Sequence, residues 1–433
     1  MKFRFKAFLQ RPFVRNVLTV ASGTAASQAI VMAFAPFITR LYGPDAYGLQ
    51  GLFVSVVGLL STVAAFSYPT AIVLPKNDAD ALGIARLSIY MGLSMSSLTA
   101  IAMFFFGDDL LRLLNSEAIS NFVFLIPVAM MVSVLGAVLS QWLIRKKAFS
   151  LTARYAVGTS LLLNSVKTGM GIIHPSALVL IVTNLVGLLF GTVLTYIGWR
   201  RFSIDNSSKE DSTAPATLTE LANRHSDFPL LRTPQNLINA FSQSLPILLL
   251  AAYFGPGSSG QYSIALTVLS VPAALIGGSV MSVFYPRINE ALRTGEDAKA
   301  LIFRATTAMA ATGALPFLIV MIGGPFLFQT VFGEEWRTAG IYSQWLAIWI
   351  FLQYINKPAV SAIPALRLQG GLLVYELFST GTKIAALWIG FVFYKDAVIA
   401  VALFSIVGSL AYIWLILWVI RYSGKIPTKT ITT

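Results

Sequence analysis

The chain has 433 residues, 56% of them hydrophobic and 11% charged, with a mean hydropathy of +0.74. A soluble domain carries about 25% charged residues, so most of this chain avoids water; collagen, coiled coil, disordered tail and disulfide-rich secreted domain are excluded. The lack of cysteine removes iron–sulfur and thiolate-zinc chemistry, and the net charge of +13, which in a soluble chain suggests nucleic acid, is better explained by membrane orientation.

Lys2, Arg4, Lys6, Arg11 and Arg15 precede the first apolar run. Ala33-Phe34-Ala35 resembles a signal-peptide cleavage site, but the run continues through Pro36, Phe37 and Ile38. Residues 16–38 therefore read as an uncleaved first span. Eleven further apolar stretches follow, at 48–68, 83–106, 120–141, 155–173, 176–198, 235–254, 260–282, 301–322, 339–356, 371–393 and 396–420. Those at 155–173 and 339–356 are short or interrupted by polar residues. Between the sixth and seventh stretches lies the long polar segment 199–234, containing Asp205, Lys209, Glu210 and Asp211. It is too polar to bury a core and reads as a flexible cytoplasmic linker, with a short amphipathic helix near Leu218–His225. The expected organisation is a six-helix lobe over 1–198, the linker, and a second six-helix lobe over 235–433.

Placing the N-terminus inside and alternating puts 25 of the 31 Lys and Arg inside and four outside (Arg40, Arg112, Arg337 and Lys395). This is the bias of the positive-inside rule, and both termini are cytoplasmic on it.

The chain also repeats. Gly43, Pro44 and Gly48, after the first span, match Gly255, Pro256 and Gly260, after the seventh, at an offset of 212. Tyr68-Pro69 and Asp80-Ala81 match Tyr285-Pro286 and Asp297-Ala298 at 217. Matches at nearly one offset, in spans of matching direction, predict a duplicated six-helix unit and two parallel repeats.

Enzyme motifs are nearly absent. His174 and His225 form no metal-binding pattern, no phosphate-binding Gly-Lys loop occurs, and Asp108-Asp109 and Glu334-Glu335 read as solvated loop acids. The informative residues are charges inside the bilayer, which are costly and usually face a bundle interior. Lys167 and Lys383 lie in equivalent spans, five and eleven, and are expected to line a water-filled cavity. Glu376 shares a helical face with Lys383 two turns away. It either balances charge or couples transport to a proton or sodium gradient. Arg86 and Arg304 sit at inner span ends, where snorkelling to the headgroups is favoured. Gln28, Asn164 and Gln243 are polar positions within spans, where interhelical hydrogen bonding is commoner than ligand contact. Two lysines and one glutamate give a cationic cavity, suited to an anionic or phosphate-linked substrate. No cofactor is expected.

Phe37-Ile38-Thr39-Arg40-Leu41-Tyr42-Gly43-Pro44-Asp45-Ala46-Tyr47-Gly48 resembles the first-loop signature of Wzx-type polysaccharide flippases. Tyr68-Pro69-Thr70-Ala71-Ile72-Val73-Leu74-Pro75-Lys76 is similar to that family's second-loop pattern, and Val331-Phe332-Gly333-Glu334-Glu335-Trp336-Arg337-Thr338-Ala339-Gly340 to its outer loop before span ten. The resemblance implies an all-α polytopic fold of about 12 spans, as in the multidrug/oligosaccharidyl-lipid/polysaccharide exporters. Its two lobes would surround a central cavity that opens alternately to each side of the bacterial inner membrane. The implied cargo is an undecaprenyl-diphosphate-linked oligosaccharide, with membrane lipids, a polysaccharide polymerase and a chain-length regulator as partners. A related multidrug antiporter usually takes cations, which a positive cavity disfavours. The loop after span two lacks the Gly-x-x-x-Asp-Arg pattern of major-facilitator transporters. A membrane glycosyltransferase on the same carrier would normally bring a large loop with catalytic acids.

Overall fold

Hydrocarbon cannot hydrogen-bond a peptide group, so a spanning chain must satisfy its backbone internally, and helices do this residue by residue. The computed structural model describes residues 12–113, 117–205, 216–366 and 368–424, and among these no residue is in a strand. The α-helices are α1 (Pro12–Ala64), α2 (Asp78–Leu113), α3 (Leu125–Arg145), α4 (Phe149–Ile173), α5 (Ala177–Asp205), α6 (Leu218–Arg224) and α7 (Thr233–Phe254). They continue as α8 (Pro256–Thr294), α9 (Ala298–Phe332), α10 (Arg337–Ile355), α11 (Lys357–Ala362), α12 (Gln369–Ile389) and α13 (Ala397–Ser423). Among the described residues eight helices are long and apolar enough to cross a membrane. The protein is an all-α, multi-pass membrane protein.

The stretch Thr19–Ala64 has 46 residues, more than twice the ~20 that span hydrocarbon. Gly43 breaks it with non-helical angles, φ 59° and ψ 171°. Two helices joined across this kink thus carry the predicted spans, 16–38 before it and most of 48–68 after it. Large apolar side chains stand out from the spans, among them Phe104, Ile173, Ile322 and Phe378, each at least 71% exposed. In a bilayer such positions face lipid, so their exposure carries no penalty.

The described chain forms two compact units, Met1–Gly260 and Gln261–Thr433. The predicted boundary lay at 199–234. The difference arises at α7, which packs along α1 and so joins the first unit. Small residues permit close packing within this unit. A Cβ on Gly23 would lie 2.5 Å from the Ala153 Cβ, and one on Gly171 2.7 Å from the Tyr42 ring.

The two loops matched at offset 212 have the same backbone shape. Gly43 has φ 59° and ψ 171°, and Gly255 has φ 83° and ψ 168°. They also meet reciprocally. A Cβ on Gly48 would fall 1.7 Å from the Pro256 carbonyl oxygen, and one on Gly260 2.0 Å from that of Pro44. The second matched pair differs locally. Tyr68 opens a 3₁₀ helix, Tyr68–Val73, after two left-handed residues, Phe66 (φ 48°) and Ser67 (φ 57°), whereas Tyr285 lies within continuous α8.

The linker corrects the expectation of flexibility over its later part. Residues 206–215 lie outside the described residues, but 216–232 are docked on the first unit. Thr217 and Glu220 form a capping box that starts α6 where an amphipathic helix was expected. Leu221 is fully buried against α2, over Gly83, where a Cβ would sit 2.4 Å from the Leu221 Cδ1. Buried Asp80 accepts from the Ala216 amide (3.0 Å) and from Arg224 (3.4 Å). Polarity argued for a solvated segment, yet Leu218, Leu221, Ala222 and Phe228 pack on the first unit and buried Asp80 holds the start of the helix. Asp80→Ala should therefore raise the rate of tryptic cleavage after Arg224 about fivefold in detergent-solubilised protein, the loss of roughly one hydrogen bond. An unchanged cleavage rate would show the docking to be independent of Asp80.

Arg145, at the end of α3, fastens the neighbouring loop. It donates to the carbonyls of Pro75 (2.6 Å), Asn77 (3.0 Å) and Ile72 (3.2 Å) and pairs with Asp78 (3.0 Å), which also meets Lys146. Sequence reading counted Arg145 only as an inside charge.

Candidate functional site

Three helices of the first unit turn polar stripes toward one space. On α7, Asn236, Asn239, Ala240 and Gln243 fall at i, i+3, i+4 and i+7, which is one helical face. The second half of α1 contributes Ser61, Thr62 and Ala65, and α3 contributes Ser133, Val134 and Ala137. Ser67, Pro69 and Thr70 complete a cavity of about 570 Å³. Among the residues lining it there is no charged side chain. An adjoining pocket of about 500 Å³ shares Thr70 and adds Asp227, Arg232 and Gln235.

The hydrogen bonds around this cavity decide what it offers. Thr62 donates to the Gly58 carbonyl (2.8 Å), Ser133 to that of Ala129 (2.7 Å) and Thr70 to that of Ser67 (2.7 Å). Their protons are spent on backbone, so their oxygens remain as acceptors. The Ser67 hydroxyl accepts from Thr233 (3.0 Å) and Asn236 (3.2 Å), which tie α7 to the left-handed turn. Left-handed backbone at two successive non-glycine residues costs energy, and such bonds are what hold it. The Ser61 Oγ is buried and has no hydrogen-bond partner among the described residues.

Of the sequence-predicted residues, Gln243 lines this cavity. Lys167 lies elsewhere in the first unit, where its Nζ donates to the Asn184 Oδ1 of α5 (3.1 Å) and its carbonyl accepts from the Tyr42 hydroxyl (2.7 Å). Asn164, one turn before it, is buried and donates to the Ser160 carbonyl (2.7 Å). Gln28 is half-buried on α1, and Arg86 is exposed on α2. In the second unit, buried Lys383 points its ammonium at two rings, Trp349 (6.0 Å) and Phe404 (5.9 Å). Those rings meet edge to face at 5.0 Å, and Gly408 leaves room for Trp349, 2.6 Å from where a Cβ would be. Aromatic faces partly replace the water that a buried ammonium loses. Glu376 is half-buried on the same helix, and Arg304 is exposed on α9.

Asn236, Asn239 and Ser61 were missed by sequence reading. Spacing could have found the two asparagines, because with Gln243 they place amides at i, i+3 and i+7 in an apolar helix, which marks an inward face.

A family model described as polysaccharide biosynthesis protein matches residues 37–340. The chain belongs to that family. The stretches 37–48 and 331–340, which resemble flippase loop signatures, fall at the two ends of the matched region. Relatives include the teichuronic acid biosynthesis protein TuaB of Bacillus subtilis (strain 168), 24% identical over 45% of this chain and 41% of that protein. The succinoglycan biosynthesis transport protein ExoT of Rhizobium meliloti (strain 1021) is 19% identical over 70% of this chain and 59% of its own length. The lipopolysaccharide biosynthesis protein WzxC of Escherichia coli (strain K12) is 20% identical over 82% and 70%. The chain thus spans less than two thirds of the first two. Its fold is similar to that of a multidrug resistance MATE family transporter of the MOP superfamily in an inward-facing conformation, with a TM-score of 0.71, 13% identity and coverage of 96% and 100%. A MOP superfamily transporter from Pyrococcus furiosus, described as having a binding pocket of reverse polarity, gives a TM-score of 0.61 at 15% identity, covering 94% and 95%.

Proposed function

We propose that this protein carries an undecaprenyl-diphosphate-linked oligosaccharide across the bacterial inner membrane by alternating access, for surface polysaccharide synthesis. The observation that carries the reading is a hydroxyl- and amide-lined cavity inside a bundle of apolar helices, in a member of a polysaccharide biosynthesis family. Lipid tails need no such lining, whereas a hydrophilic head group crossing hydrocarbon does. The protein acts as a carrier and leaves the glycan unextended. Its termini lie in the cytoplasm, its halves are two six-helix repeats, and Lys167 and Lys383 hold the anionic parts of the cargo. The matching backbone shapes at Gly43 and Gly255 support the duplication. Coupling to a proton or sodium gradient through Glu376, and cooperation with a polymerase and a chain-length regulator, belong to the same reading.

Proteoliposomes test it. Purified protein should move a fluorescent lipid-linked oligosaccharide from the outer to the inner leaflet, leaving the glycan length unchanged. The fold is also similar to a multidrug transporter, which favours cation antiport as the second reading. Ion-driven accumulation of cationic dyes without glycolipid movement would establish that reading and sink the first.

A further inference from the structure

We infer that the cavity between α1, α3 and α7 is a subsite for an uncharged sugar of the cargo, separate from the lysines assigned to its anionic groups. The inference rests on the proposed transport of a glycolipid and specifies which part of it meets this surface.

The argument is one of complementarity. The oxygens of Thr62, Thr70 and Ser133 present lone pairs, their protons being committed to backbone carbonyls. Asn239 and Gln243 add amide groups that both donate and accept. An anion, which only accepts, would face these lone pairs with no cation in the lining to offset its desolvation. A cation would find no carboxylate there. A polyol donates and accepts at every hydroxyl, so it satisfies both sets of groups. The volume, about 570 Å³, lies in the range of about 300–1,000 Å³ that small-ligand pockets occupy. The apolar wall of Ala65, Pro69, Val134 and Ala137 suits the C–H face of a pyranose ring.

The test exploits the absence of native cysteine. Ala240→Cys places one thiol in the cavity wall, between Asn239 and Gln243, and keeps both amides. The variant, in proteoliposomes, is treated with a water-soluble maleimide in the presence of one of three probes. These are undecaprenyl diphosphate bearing a neutral disaccharide, the same carrier bearing a hexuronate disaccharide, and the carrier alone. The neutral glycolipid should slow labelling at least about fivefold, and the other two should not. Adding Asn239→Leu should raise the protecting concentration about fivefold to tenfold, the loss of one hydrogen bond. Asn239→Ser, which keeps a polar group, serves if the leucine variant does not fold. Equal protection by the bare carrier, stronger protection by the hexuronate form, or a thiol that never labels would overturn the subsite. Failure of the unsubstituted protein to move any glycolipid overturns the transport reading instead. The two failures are therefore distinguishable.

Discussion

Gly48→Ala and Gly260→Ala should each destabilise the protein by about 3 kcal/mol, at the upper end of what overpacking costs. The reason is that the obstructing atoms are backbone. At Gly48 the new Cβ would meet the Pro256 carbonyl oxygen at 1.7 Å and its carbon at 2.4 Å; at Gly260 it would meet the Pro44 oxygen at 2.0 Å and the Gly48 nitrogen at 2.8 Å. No rotamer change relieves a contact between main chains, so the two loops must separate. Gly58 provides the control, since a Cβ there meets nothing within 4 Å. Alanine at a helix interior is favoured over glycine by about 0.5–1 kcal/mol, so Gly58→Ala should leave the melting temperature unchanged or raise it. Thermal unfolding in detergent measures all three variants. If Gly48→Ala melts with the parent, the close approach of the loops is not present in the folded protein.

Replacing the lysine charges should cut glycan export about tenfold or more with the protein still in the membrane. Charge-assisted hydrogen bonds contribute about 1.5–3 kcal/mol, which corresponds to that factor. Methionine is the informative substitution, because it keeps an unbranched stem of similar length and removes only the ammonium. Lys383→Met leaves Trp349 and Phe404 packed but without their cation, and Lys167→Met takes the donor from the Asn184 amide oxygen. Lys→Arg keeps the charge but changes its shape, so part of the activity should remain. Complementation of a deletion strain, with membrane levels measured alongside, reads both effects. Methionine and alanine variants that support export as well as the parent would make both lysines structural.

Class and span placement were legible in the sequence because burial in lipid acts residue by residue. Any stretch of about 20 apolar residues reports its own environment, and each predicted stretch falls largely on helix, although two share α1 and, among the described residues, eight helices are long and apolar enough to span. The loop signatures and the Gly43/Gly255 match were legible for a related reason, since a positive φ followed by Pro is a local demand on residue type. Tertiary structure decided the rest. Whether the polar segment after α5 stays solvated depended on a partner distant in sequence, Asp80, and on a groove left open at Gly83. Whether Lys383 meets rings or carboxylates depended on what α10 and α13 place opposite it. The cavity itself arises where stripes from three helices converge, and each stripe alone reads as ordinary interhelical hydrogen bonding. Lipid burial is a property of single positions, whereas a binding surface is a property of which positions meet.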